Sequence, residues 1–468
     1  MAEFSSMASD VLRKLSYDAA PRISVEPPGP KSRALLERQR VKEGNTVSYP
    51  RGIPVAFESG RGATVKDADG NIYIDFFGGA GALVVGHSNP KVVEAVRDQV
   101  GRLTHSLDFP NSIRSRITDT IVSQAPGSLR NNCKVVFGGP TGSDAVEAAI
   151  KLAKINTGRS GILAFSGGYH GMTSGALAAT SDRFHKEMYL PLLPEVHFSP
   201  YAYCYRCPFG LEYPGCGVQC ADYLESLLGN PHSGVSNPAA VIVEPVQGEG
   251  GSIVPPPEFL PRVEEITERH SVPLILDEIQ AGIGRTGKMW SCELFECEPD
   301  VMTISKGLGG GLPLSAIAYR TGLDTWKPGA HIGTFRGNLT GMAAGLAALN
   351  FIEEHSLLKH AADLGKYILE RLKEESNGRK FIGDVRGAGL IIGIEFVKDK
   401  VSKKPFPEMA TEIRREAFKR GLITELGGHY RNVVRFLPPL VLFRELADAG
   451  IDIFFDTVKY LETGYLQR

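Results

Sequence analysis

Val272-Pro-Leu-Ile-Leu-Asp-Glu-Ile-Gln280 is an apolar run that ends in acids, and Val301-Met-Thr-Ile304 is a second one that leads into Ser305-Lys306-Gly307. Short apolar runs closed by polar turns read as strands buried on both faces of a parallel sheet. Such strands present Asp277 and Lys306 at their carboxyl ends, where open α/β sheets bind ligands. Two readings fit these residues by themselves. The acid and the lysine are a buried structural ion pair, or each holds a different end of one cofactor.

The surrounding chain repeats the pattern. From Cys133 onward, apolar strands at Lys134–Phe137, Gly161–Phe165, Ala239–Val246, Val272–Ile279, Val301–Ser305 and Leu314–Tyr319 alternate with helical segments. That alternation predicts an α/β fold, a mostly parallel sheet covered by helices. Upstream, residues 1–45 read as a polar arm, and Asp69-Gly70 is a two-residue turn joining strands of a hairpin. Beyond Gly341 the pattern shifts to long helices, Met342–Glu353 and Leu358–Glu374, then to strands at Ile391–Phe396 and Val433–Phe436 and a last helix near Ala447–Leu461. The expected organisation is residues 86–340 as a large domain and 341–468 as a smaller α+β domain, which the arm and hairpin of 1–85 join.

Bulk properties exclude several classes. Lysine and arginine total 52 against 53 acids, a net charge of −1, so no global field draws nucleic acid or an anionic membrane. No run reaches the ~18 apolar residues a membrane span needs. Residues 1–25 lack the continuous apolar segment of a signal peptide. Seven cysteines in 468 residues do not suggest a disulfide scaffold, and a reducing, cytoplasmic setting is expected.

Other segments surround the two strand ends with chemistry. Gly138-Gly-Pro-Thr-Gly-Ser-Asp144 leaves a strand and opens a helix, so Gly142 and Ser143 offer N–H groups and the positive helix end to an anion. Tyr169-His170-Gly171 follows a glycine turn; its aromatic face suits either core packing or stacking on a planar ligand. Glu244-Pro-Val-Gln-Gly-Glu249 places two acids at a strand end, costly unless they are paired or functional. Asp277 and Gln280 read as two side chains on one strand face. Pyridoxal 5'-phosphate (PLP) chemistry requires these parts together. It needs a nucleophilic lysine amine, a carboxylate that keeps the ring nitrogen protonated, a helix N-terminus for phosphate, an aromatic cover and a donor for the phenolic oxygen.

With these motifs in place, the chain resembles the class III (ω-) PLP-dependent aminotransferases of PLP fold type I, from about Tyr49 to Tyr460. The resemblance is carried by Gly142-Ser143, Tyr169-His170-Gly171, Glu244-Pro-Val-Gln-Gly-Glu249, Asp277-Glu-Ile-Gln280, Gly284-Arg-Thr-Gly287, Ser305-Lys306-Gly307, Gly333-Thr334 and Arg435-Phe-Leu-Pro-Pro439. It implies that Lys306 holds PLP as a Schiff base and shuttles protons, Asp277 pairs with the pyridinium nitrogen, and Gln280 meets the phenolic oxygen. It further implies that Tyr169 stacks on the ring, His170 belongs to the cofactor site, and Gly142 and Ser143 bind phosphate. Thr334 would serve the phosphate of a neighbouring subunit, which implies a homodimer. Arg435 matches the arginine that grips the α-carboxylate of glutamate and 2-oxoglutarate, and Glu249 the acid that covers it when an ω-amine binds; a plain salt bridge is the other reading of that pair.

Within the family, Gly139-Pro-Thr-Gly-Ser-Asp144, Tyr205-Arg-Cys-Pro-Phe-Gly210 and His331-Ile-Gly-Thr-Phe-Arg-Gly-Asn338 resemble the diaminobutyrate–2-oxoglutarate branch. The expected reaction moves the ω-amine of 2,4-diaminobutyrate, or a similar amine, to 2-oxoglutarate. Arg336 fits either a second carboxylate grip or an interface ion pair. Pro27-Pro-Gly-Pro-Lys31 and Gly383-Asp-Val-Arg-Gly387 are also similar to amino-acid racemases and epimerases of the same fold. Cys204, Cys207, Cys216 and Cys220 approach the spacing of a zinc knuckle, but free thiols are expected and no metal is assigned to the site.

Overall fold

The structure is a computed structural model that describes residues 10–466. Residues 1–9, the start of the expected arm, lie outside the described residues. The chain divides into two compact units, Lys91–Phe351, and Met1–Pro90 together with Ile352–Arg468.

The Lys91–Phe351 unit is built on a seven-stranded sheet. Its strands are β1 (Cys133–Phe137), β2 (Ile162–Phe165), β3 (Val196–Ser199), β4 (Ala240–Val243), β5 (Leu274–Asp277), β6 (Val301–Ile304) and β7 (Ala316–Arg320). They lie in the order β1-β7-β6-β5-β4-β2-β3. Neighbours from β6 to β3 pair in parallel, and β7 runs antiparallel to both β1 and β6. Every residue of β2, β4, β5 and β6 is buried, which is why they read as unbroken apolar runs rather than as an alternation. Helix α1 (Gly142–Thr157) turns Ala145, Ala148, Ala149, Leu152 and Ala153 inward, into one apolar cluster with Ile162, Ile242, Ile275 and Val301. Its small side chains let the helix axis approach the sheet, and that fixes where its N-terminus falls.

Two strand expectations change. β4 and β5 are shorter than the apolar runs that contain them: Pro245 lies two residues past Val243, and Pro273 precedes Leu274. Proline has no N–H for the ladder, so a run that includes it outlasts its strand. β5 ends at Asp277, so Gln280 lies in the turn beyond it, not on a strand face shared with Asp277; residues three apart in a strand point to opposite faces in any case. β3 is a strand the reading missed; it is an edge strand, only half-buried over Val196–Phe198, and carries no apolar run.

The other unit holds two four-stranded sheets. One orders Phe57–Arg61, Thr64–Asp67, Ile72–Asp75 and Leu422–Ile423. Its Asp69-Gly70 hairpin turn is held by Asp67 Oδ1, which accepts the N–H groups of Asp69 and Asn71 at 3.0 and 2.8 Å. The second sheet orders Ile382–Ala388, Ile391–Phe396, Val433–Phe436 and Glu425–Gly427, all antiparallel. Among the described residues no helix is long and apolar enough to cross a membrane.

Candidate active site

β5 ends at Asp277, which is 3% exposed. A carboxylate sealed in a sheet must be satisfied by its neighbours. Asp277 Oδ1 accepts the Thr303 hydroxyl at 3.0 Å and the Ile279 N–H at 3.1 Å. Thr303 is its paired residue across β5 and β6, so the register supplies that donor. Asp277 Oδ2 lies 2.7 Å from His170 Nδ1. Burial by itself favours a neutral His170 ring, but the hydrogen bond and charge of Asp277, with Glu244 beyond it, hold the ring above its ordinary value. The His170 backbone is fixed in turn, since its N–H donates to Thr180 Oγ1 at 2.9 Å.

The glycine turn after β2 carries Tyr169 and His170 to the ends of β4 and β5. Tyr169 N–H donates to Glu244 Oε1 at 2.8 Å, and the Tyr169 ring meets His185 edge-on at 5.9 Å between centroids. Glu244, the first residue past β4, also accepts the Gly248 N–H at 2.9 Å. Burial pushes its carboxyl up to about 7, against the pull of His170 and the two N–H groups.

The N-terminus of α1 stands in the same unit. Asp144 Oδ2 accepts the Thr141 N–H and hydroxyl at 2.9 and 2.7 Å, and this closes the helix start around Gly142 and Ser143. Ser143 Oγ accepts the Met172 N–H at 3.0 Å, which fastens the Tyr169–Gly171 loop to the helix end. Gly171 sits at φ +128°, and a Cβ there would lie 2.0 Å from Ser143 Oγ. A Cβ on Gly142 would lie 2.9 Å from the Ile279 side chain. Both glycines are needed for the loop, the helix end and the β5 turn to approach this closely.

Lys306 begins the turn Lys306–Gly309 directly after β6. Its φ is +46°, a left-handed backbone that costs a non-glycine residue about 1–3 kcal/mol and persists where the surroundings over-determine it. Gln280 Nε2 donates to Glu249 Oε1 at 3.2 Å, so the turn after β5 meets the turn after β4.

The structure thus joins Asp277 with His170, Gln280 with Glu249, and Ser143 with the loop that carries Tyr169. It leaves Thr334 on an exposed turn, whereas Arg336 lies in the field of Asp144 at the α1 N-terminus. Thr334 is exposed on a turn whose neighbours Ile332 and Phe335 are 76% and 65% exposed. Arg336 is half-buried in the field of Asp144 and Asp108. Nearby, Lys151 Nζ lies 3.3 Å from His331 Nδ1, and burial together with Arg336 and Lys151 lowers His331 to about 4. Arg435 is 1% exposed on the Val433–Phe436 strand of the other unit. Sequence reasoning missed Thr303, although a hydroxyl in an otherwise apolar run was the available signal, and it gave Glu244 no partner. The four cysteines Cys204, Cys207, Cys216 and Cys220 line one cavity with Tyr201 and Tyr203 and are free thiols. Among the described residues no group of histidines, cysteines and acids is set to hold a metal.

Comparison with known proteins gives relatives along most of the chain. The sequence model described as aminotransferase class-III matches residues 48–458. A diaminobutyrate–2-oxoglutarate aminotransferase of Rhizobium meliloti is 44% identical over 425 residues, 89% of this chain and 90% of the relative. An alanine/serine racemase of Pyrococcus horikoshii is 39% identical over 455 residues, 96% of this chain and 94% of the relative. Among solved structures, a Bacillus anthracis aminotransferase superposes with a TM-score of 0.84 at 26% identity, covering 92% of this chain and 99% of that one.

Proposed function

Because the chain belongs to the class III aminotransferase family, a family of PLP enzymes, we propose that it moves the ω-amino group of L-2,4-diaminobutyrate, or a similar ω-amine, to 2-oxoglutarate. The products are aspartate 4-semialdehyde and glutamate, and the reaction is reversible. One observation carries the reading: a fully buried Asp277, held by His170 and Thr303, closes a strand in the same unit as a helix N-terminus and a lysine with a left-handed backbone.

The donor set fits PLP. The N-terminus of α1, with Gly142 and Ser143, suits a phosphate; Asp277 suits a protonated ring nitrogen; Tyr169 and His170 suit the ring, and Gln280 its phenolic oxygen. Gly171, whose Cβ would meet Ser143, and Gly142, whose Cβ would meet Ile279, support the same fit by letting the loop and the β5 turn close on the helix end. When bound, PLP supplies the electron sink that weakens the C–H bond beside the transferred amine. Lys306 Nζ would take that proton from the substrate carbon and deliver it to the cofactor's C4′ carbon, and would run the same transfer backwards in the second half-reaction. Asp277 keeps a proton on the ring nitrogen, and His170 holds Asp277 in place. Arg435 serves the carboxylate of glutamate and 2-oxoglutarate, and Glu249 serves the half-reaction in which an ω-amine is bound. Arg336 is a candidate second carboxylate contact.

The exposed turn of Thr334 supports a homodimer in which that threonine serves the neighbouring subunit's phosphate site. Seven free cysteines support a cytoplasmic setting. A racemase is the second reading, favoured by the likeness to the alanine/serine racemase. Incubating the PLP-loaded protein with diaminobutyrate and 2-oxoglutarate tests the proposal. Glutamate and the semialdehyde should form together, and only when both substrates are present. Racemisation of one amino acid without any 2-oxo acid, and no glutamate, would replace the first reading with the second.

A further inference from the structure

Glu244 takes no part in the roles above, yet its single carboxyl holds two loops. Oε1 accepts the Tyr169 N–H at 2.8 Å and Oε2 the Gly248 N–H at 2.9 Å. The first loop leaves β2 and carries Tyr169 and His170. The second leaves β4 and carries Glu249. β2 and β4 are neighbours in the sheet, so the loops emerge side by side. They also meet each other directly: Gln247 Nε2 donates to Ser166 O at 2.9 Å, and a Cβ on Gly250 would lie 2.7 Å from Gly167 O.

We propose that Glu244 is a positioning residue that locks the aromatic cover at Tyr169 and the substrate-facing acid Glu249 into one register. The inference rests on the roles given to those two residues above. A buried carboxylate with two N–H donors on its two oxygens fixes both backbones at once, whereas a side chain with one acceptor oxygen fixes only one. The ionisable groups that face Glu244 are His170 from the loop after β2, Asp277 from the end of β5, and Tyr201, whose hydroxyl donates to the Glu244 carbonyl at 3.1 Å. Protonation of the carboxyl converts one acceptor oxygen to a hydroxyl, so the lock weakens as pH falls.

Hydrogen exchange read at residues 166–172 and 247–251 tests this on the full chain, with and without PLP. Glu244→Ala should raise exchange about tenfold in both segments together, the loss of roughly one hydrogen bond each. Glu244→Gln has nearly the same shape and one acceptor oxygen, so it should loosen one segment and leave the other protected. Protection of both segments in the parent should fall as pH drops through about 7, and that pH step should be absent in Glu244→Gln. Unchanged exchange in both segments of Glu244→Ala, or a pH step that survives in Glu244→Gln, overturns the proposal. The parent's reaction with glutamate, run alongside, reports on the functional reading separately, because the exchange result does not depend on turnover.

Discussion

His170 Nδ1 lies 2.7 Å from Asp277 Oδ2, and both side chains are closed off from solvent. Removing one partner of a buried charged pair leaves the other uncompensated, at a cost of about 3–5 kcal/mol. His170→Ala should therefore lower unfolding free energy by that amount near pH 6, measured by denaturant titration. The sign of the pH dependence follows from the raised folded value of His170. The stability carried by the charged ring is fully present below its ordinary value of 6.5 and is lost as pH rises through the higher folded value. The gap between parent and variant should narrow in alkaline buffer. A gap that widens there would contradict a charged His170.

Thr303→Val keeps the shape of the side chain and removes the 3.0 Å donor to Asp277 Oδ1. A buried acceptor that loses its donor costs about 1–3 kcal/mol. PLP affinity, measured by equilibrium dialysis, should weaken about tenfold or more, since the acid proposed to pair with the ring nitrogen is then less firmly held. An unchanged affinity would mean that Thr303 is packing only.

Gly171→Ala adds a Cβ 2.0 Å from Ser143 Oγ at a φ of +128°, which alanine avoids. The loop must retreat from the helix end, and the Met172–Ser143 bond must break. Inorganic phosphate and PLP should both bind more weakly, by about tenfold for each ~1.4 kcal/mol of misplaced contact. Loss of PLP binding with phosphate binding intact would move the phosphate site elsewhere.

Lys306→Ala removes the group proposed to take the substrate proton. Turnover should fall by more than about a thousandfold, within the range a positioned general base supplies, and the visible absorption of lysine-bound PLP should disappear while the fold persists. Circular dichroism in the far ultraviolet checks the fold, and absorption near the visible edge checks the cofactor.

The strands that carry the site were legible because burial on both faces leaves a plain apolar signature. β5 and β6 could be read from Leu274–Asp277 and Val301–Ile304 without any tertiary information. The glycine turn into α1 was legible for a similar reason, since few other patterns free N–H groups at a helix end. The edge strand β3 was not legible: half of its surface is open, and the alternation in Val-His-Phe-Ser is too short to separate a strand from a loop. Strand lengths misled at Pro245 and Pro273, where hydrophobicity continues but the ladder cannot. The partners of Asp277 and Glu244 were hidden for a different reason. His170 lies 107 residues from Asp277, and Tyr169 lies 75 from Glu244, so only the parallel strand order brings them together. A motif can announce an acid at a strand end; it takes the crossover connections to say what that acid will touch.

The central claim is that this site exchanges amino groups through PLP with glutamate as one partner. Its most direct test is a spectral titration of the PLP-loaded protein with glutamate alone. The account predicts that the visible band of bound PLP is lost as the amino group moves to the cofactor, that diaminobutyrate has the same effect, and that 2-oxoglutarate restores the band. A band untouched by glutamate, in a protein that nevertheless erases the optical activity of a single amino acid, would contradict it.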